Sequence, residues 1–165
     1  MEMVDVVDQN NAVLSQISKD DAHQKGELHR CIISQVIDSK GNWTLVKQAG
    51  DRQDPGQYVS PVGGHIQASE SEEDALAREA MEEMGIRFFS SKRIGQAIFN
   101  REVIGRKENH FFILYEIYTD EDYTLNHESV GFEKFSVEQL KKEFQENPKK
   151  FGDSFHFVFK TFYLK

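Results

Sequence analysis

The chain has 165 residues, one cysteine and a formal charge of −8, from 28 Asp and Glu against 20 Lys and Arg. That length suits one domain around one sizeable core, and the negative balance disfavours a nucleic-acid polymer or an acidic membrane surface as partner. A lone Cys31 excludes an internal disulfide and the multi-cysteine zinc patterns.

In chain order, "VDVVDQNNAVLSQIS" from Val4 carries two β-prone runs about Asn10-Asn11 and predicts a hairpin within an N-terminal extension, residues 1–28. "CIISQVI" and "NWTLVKQ" flank Asp38-Ser39-Lys40-Gly41, a second hairpin signal. "QDPGQYVSPVGG" is turn-rich and runs into a short extended stretch ending at Gly63-Gly64. "IGQAIFN", "HFFILYEIYT" and the shorter "VGFEKF" have strand length and composition. Ser136 followed by Gln139 forms a capping-box pattern ahead of "VEQLKKEFQEN", and Asp153 is the expected cap for a last helix, "SFHFVFKTFYL". Strands before, between and after helices predict an α/β fold, a mixed sheet packed between helical layers.

The chemistry concentrates in residues 63–86, "GGHIQASESEEDALAREAMEEMGI". Ser69 or Ser71 can cap a helix whose first turn holds Glu72, Glu73 and Asp74, and Gly85 ends it. At about 100° per residue, Leu76, Ala77, Ala80 and Met84 form an apolar arc, with Glu79, Glu82 and Glu83 along its edge. Three acids as i,i+3 and i,i+4 neighbours repel one another unless a positive charge lies between them. Arg78 can pair with Glu82 or Asp74, but one guanidinium cannot neutralise the set. A divalent cation can, and hard carboxylate oxygens suit Mg²⁺, with Mn²⁺ as a substitute. A solvated acidic helix is the bland alternative. The glycine pair argues against it, because it lets backbone pass close to the helix and to a ligand.

Gly64, Glu70, Arg78, Glu79, Ala80, Glu82, Glu83, Gly85 and Ile86 match the nine specified positions of the Nudix box, G-x5-E-x7-R-E-U-x-E-E-x-G-U, and here the chain resembles the Nudix superfamily. The resemblance implies a single Nudix domain over residues 1–165, with the box at 64–86, folded as an α/β/α sandwich with a mixed sheet between helices. It implies metal-binding roles for Glu79, Glu82 and Glu83, support from Glu70 and Arg78, and a substrate loop at Gly63, Gly64 and His65. Most members hydrolyse a nucleoside diphosphate linked to another moiety, so a metal-dependent diphosphate hydrolase is the expected enzyme.

Further stretches, "ELHRCIISQVID", "QDPGQYVSPVGGH" and "HESVGFEKFSVEQLKKEFQENPKKF", are similar to the isopentenyl-diphosphate isomerase branch and its hydrolase-like relatives. That branch places a cysteine before the Gly-His of the box loop; here the position is Gly63. Its metal ligands carry over in part, to His29, His65 and Glu108 as a second metal set. His110 replaces a second glutamate, and His23 lies near but not on another ligand position.

The leading expectation is hydrolysis with Glu82 and Glu83 in the catalytic set and Glu83 or Glu128, in "NHESVGF", as base. The alternatives are an isoprenoid-diphosphate isomerase and a nucleotide-binding module without turnover. The expected substrate is a small organic diphosphate. Leaving-group recognition falls to loops and aromatics, with Trp43, Tyr58, Phe99 and Phe111 as examples. Cys31 opens an apolar strand and reads as a packed, inert thiol. One cysteine fits a reducing cytosol, the start "MEMVDVVDQNNAVLSQ" lacks a leader's basic end and apolar core, and no apolar run reaches membrane-spanning length, so a cytoplasmic protein is expected. The N-terminal hairpin is an element through which a homodimer could form.

Overall fold

The structure is a computed structural model and describes residues 1–164. Its elements are β1 (Met3–Val7), β2 (Val13–Ser18), α1 (Lys19–Lys25), β3 (His29–Ile37), β4 (Trp43–Gln48), β5 (Tyr58–Val59), β6 (Val62–His65), α2 (Glu72–Met84), β7 (Ser90–Val103), β8 (Arg106–Tyr118), β9 (Ser129–Phe135), α3 (Val137–Glu146), a 3-10 turn at Pro148–Lys150, and α4 (Asp153–Phe162).

β3 is the hub of the sheet. Along its whole length it pairs in parallel with β8, from His29 opposite His110 to Ile37 opposite Tyr118. Its remaining pairings divide among three antiparallel strands: β1 at His29, β6 from Cys31 to Ser34, and β4 only at Val36 and Ile37. β4 then continues against β9 and β5. This division opens the sheet between β4 and β6, where the main cleft lies.

Side-chain alternation supplies both faces of the sheet. Phe111, Ile113, Tyr115 and Ile117 of β8 join Leu76, Ala80 and Met84 of α2 in one core cluster. Phe112 and Leu114 join Cys31, Ile33 and Val158 of α4 in another. Trp43, Phe135, Leu140, Phe144, Phe155 and Phe159 form a third, between β4, β9, α3 and α4. Helices thus cover both faces, the expected α/β/α sandwich with a mixed sheet. Among the described residues no helix is long and apolar enough to cross a membrane.

The hairpins and the Ser136–Gln139 capping box form as expected. β7 and β8 run well beyond their apolar centres because a two-residue turn joins them, Ile104 and Gly105 both at positive φ (46° and 74°), which matches the twist of a hairpin. α1 is unanticipated: Ser18 accepts from the Asp21 N–H at 3.1 Å, and Gly26 closes the helix at φ 72°. Asp153 is not a cap. Gly152 holds that position, and the carboxylate of Asp54 accepts the Asp153 N–H at 3.3 Å, so an acceptor from across the fold replaces a local one.

The N-terminal hairpin is bolted to the loop before α2. Asp5 is 3% exposed and accepts from Arg30 Nη2 at 2.6 Å, Gln16 Nε2 at 2.9 Å and the Ser69 N–H at 3.2 Å. Asp5→Ala leaves Arg30 largely buried without its partner and is expected to lower unfolding stability by about 3 kcal/mol. Urea unfolding at unchanged m-value measures this; a loss under about 1 kcal/mol would show the pair to be dispensable.

Candidate functional site

Ser71, not Ser69, caps α2, accepting the Asp74 N–H at 3.1 Å; Ser69 sits at φ 66° in the preceding loop. At the other end Gly85, at φ 66°, gives its N–H to Ala80 and Met81 carbonyls. The buried side of the helix is Ala75, Leu76, Glu79, Ala80 and Met84, whereas Ala77 is exposed. The helix is therefore rolled from the expected arc, and Glu79 lies within the buried side instead of along its edge.

The glycine pair of β6 makes that roll possible. A Cβ at Gly64 would overlap the carboxylate of Glu79, so no larger residue leaves room for it. Gly63 gives its N–H to Glu83 Oε2 at 2.9 Å. Glu79 is 8% exposed, while the Glu82 side chain is 57% exposed at the rim. Burial, with the charges of Glu82 and Glu128 added, outweighs Arg78 and raises Glu79 to about 7. Burial and the charge of Glu79 push Glu83 well above the usual carboxylate range. Two acids are held where neither ionises easily without a cation.

Arg78 organises the loop. Its Nε and Nη2 donate to the two oxygens of Glu70 at 2.9 and 2.8 Å, Nη1 donates to Glu79 at 2.7 Å, and Nη2 also donates to the His65 carbonyl at 3.0 Å. Hydrogen bonding to Arg78 holds Glu70 below its ordinary pKa. Of the expected partners, Glu82 stands at 3.8 Å, because Glu70 and Glu79 offer closer acceptors.

These acids line a cleft of about 470 Å³, a size suited to a small molecule. Glu79, Glu82, Glu83 and Glu128 meet there, as do Lys19, Arg52, Arg101 and Arg106, which residue patterns alone did not single out. Glu128 accepts from Arg52 at 2.7 Å. Arg101 bridges Asp54 and Glu108 at 3.1 and 3.3 Å, and Arg106 reaches Glu108 at 2.7 Å. Trp43, Tyr58, Phe99 and Phe111 are not among the lining residues described; Trp43 and Phe111 are core, and Phe112 is an aromatic that does line the cleft. Cys31 is also at the lining, and burial pushes its thiol pKa well up, which suits the inert reading.

On the Cys31 side of β3, against the same cleft, four imidazoles meet, and His65 and His110 are part of the cleft lining. His29 lies opposite His110 on β8, Cys31 lies opposite His65 on β6, and residues two apart on β3 share a face. α1 lays His23 over them, and one ring nitrogen from each of the four lies within 4.8 Å of the others. Glu108, expected beside His29 and His65, is instead engaged by Arg101 and Arg106, while His23 and His110 take places in the group. Burial, aided by the neighbouring imidazoles, lowers His23 to about 4 and His65 and His110 well below 6.5.

A NUDIX domain family model matches residues 27–155. Isopentenyl-diphosphate Delta-isomerase 2 of Photorhabdus laumondii is 34% identical over 117 residues, 68% of this chain and 66% of its own length. An uncharacterised Nudix hydrolase of Streptomyces coelicolor is 36% identical over 85 residues, 51% of this chain and 47% of the relative. The chain thus matches less than two thirds of the length of these relatives. In fold, a crystallised protein of Deinococcus radiodurans aligns with a TM-score of 0.76 at 23% identity, over 98% of this chain and 99% of its own. The family match takes in the glycine pair, the box helix and three of the four strand and helix elements that carry the imidazoles, and on that span the chain belongs to the Nudix family.

Proposed function

We propose that the chain hydrolyses a diphosphate linkage in a nucleoside diphosphate derivative or a related small organic diphosphate, with Mg²⁺ or Mn²⁺ held by Glu79, Glu82 and Glu83. The observation that carries this reading is the close approach of the Glu79 and Glu83 carboxylates to the Gly63-Gly64 backbone inside a cleft. The donor set fits the ion: hard oxygens, crowded and largely desolvated, whose mutual repulsion a divalent charge relieves. When bound, such an ion supplies Lewis acidity for the phosphoryl oxygens and the attacking water.

The protein's own groups do the remaining work. Arg78 and Glu70 fix the loop so that the His65 carbonyl and the glycine pair keep their places under α2. Lys19, Arg52, Arg101 and Arg106 stand in the cleft paired with Glu2, Glu128, Asp54 and Glu108, and can turn from these acids to an anionic substrate. Glu83 or Glu128 accepts the proton of the attacking water; in the free chain Arg52 occupies Glu128, so a phosphate that draws Arg52 away would free that carboxylate.

Likeness to the Photorhabdus isomerase favours a second reading, proton transfer on an isoprenoid diphosphate. Gly63 offers no nucleophile for it, and the single cysteine, Cys31, is buried with its thiol pKa raised. Hydrolysis needs no such group.

A screen over nucleoside diphosphate sugars, dinucleoside polyphosphates, oxidised nucleotides and prenyl diphosphates, with Mg²⁺ or Mn²⁺, should find phosphate or nucleotide release. Glu83→Gln should then reduce kcat by about 100-fold or more; turnover near the wild-type rate would remove Glu83 from the mechanism. Gly64→Ala should cost about 100-fold in kcat/KM with an unchanged circular-dichroism spectrum, because the added methyl must displace the Glu79 carboxylate. Full activity in that variant would mean that the close approach is unnecessary.

A further inference from the structure

The cleft occupies the gap in the sheet between β4 and β6, so its lining comes from both faces. Gly64 and the acids of α2 stand on one, and Cys31, Ile33 and Phe112 on the other. On β8, Arg106, Glu108 and His110 continue the face of Phe112 at every second residue, and Arg101 lies opposite Glu108 on β7. Arg101, Arg106 and Glu108 belong to the part of the β7–β8 hairpin that overhangs β3, whose pairing with β8 begins at His110.

Across from the α2 acids, three elements meet at Asp54. It stands in the β4–β5 loop, 4% exposed, and accepts from Arg101 Nη1 of the hairpin at 3.1 and 3.3 Å and from the Asp153 N–H of α4 at 3.3 Å. Arg101 Nε donates to Glu108 at 3.3 Å, Arg106 Nε donates to it at 2.9 Å, and Gln53, the neighbour of Asp54, reaches it at 3.4 Å. Gly152 makes this seam possible, because a Cβ there would lie 2.8 Å from Cβ and Cγ of Asp54 and 2.7 Å from Val59. Drawing Arg101 from between Asp54 and Glu108 would strand two buried acids at once, so it is held more firmly than Lys19, Arg52 or Arg106.

We propose, on the diphosphate reading above, that Asp54 determines specificity: by clasping Arg101 it shuts the cleft against a second large group. The substrate is then a compact diphosphate, with one bulky moiety on one side of the linkage and a small group or none on the other. The volume agrees: about 470 Å³ lies toward the lower end of the roughly 300–1,000 Å³ usual for small-molecule sites.

The test holds the diphosphate and its charge fixed and varies size, using adenosine diphosphate esterified at its far phosphate by methyl, ribose or adenosine. In Mg²⁺ the wild-type kcat/KM should fall by about 10-fold or more from the methyl to the adenosine ester, mainly through KM. Asp54→Ala and Arg101→Ala should each bring the ratio of adenosine to methyl ester back toward one. The two substitutions remove opposite charges, so a shared rise has no electrostatic origin, and a general loss of structure would lower both esters alike. Equal use of the largest and smallest ester by the wild type, or an unchanged ratio in a folded variant, would overturn the proposal. Should Asp54→Ala fail to fold, Arg101→Ala carries the same comparison. If no ester is hydrolysed, hydrolysis falls as the activity, and calorimetric binding of the same series in Mg²⁺ still reads the wall, with the same ratios expected and the same results overturning it.

Discussion

Two carboxyl groups kept close together on the buried side of a helix are the constraint around which this chain is arranged. Glu79 and Glu83 lie on successive turns of α2 and press against backbone where β6 has no side chains. An arrangement that leaves carboxylates this desolvated destabilises the free protein, so the surroundings must hold it in place. Gly85 stops the helix at one end, and from its middle Arg78 grips Glu70, Glu79 and the His65 carbonyl at once. Asp5 and Arg30 brace the loop from outside through the Ser69 N–H. Each brace acts on the segment that carries the acids.

The sheet separates two kinds of donor. Gly64 turns toward α2 and its carboxylates, and the next residue, His65, turns to the opposite face and the imidazoles. Strand alternation alone accomplishes this, because neighbours on β6 cannot share a side. Hard oxygen donors and neutral nitrogen donors therefore occur within a few residues of one another, and both line the cleft. Along the cleft the arginines are matched by acids, Arg52 by Glu128 and Arg101 and Arg106 by Glu108, within a chain that carries −8.

Much of this was legible in the sequence, because the signals are local. The caps of α2 and α3, the Asn10-Asn11 hairpin and the spacing of Glu79, Glu82 and Glu83 all depend on residues within a few positions of one another. The roll of α2 was not legible. Ala75 and Ala77 are chemically identical, and only the sheet beneath decides that Ala75 is buried. α1 had caps at both ends, Ser18 and Gly26, but with two buried residues it shows no apolar period to announce it. Without α1, His23 could be placed only near a ligand position, because its meeting with His29, His65 and His110 requires that helix and the pairing of β3 with β6 and β8. Arg52, Arg101 and Arg106 were invisible for a similar reason: nothing local distinguishes a cleft arginine from a surface one, and Arg101 acquires its setting from Asp54, forty-seven residues away.

The central claim is that the buried acids of α2 form a divalent-cation site, and Mn²⁺ binding followed by electron paramagnetic resonance tests it without a known substrate. The wild-type chain should remove about one equivalent more of the free Mn²⁺ signal than the Glu79→Gln, Glu83→Gln double variant. Equal Mn²⁺ uptake by the two proteins would contradict the account.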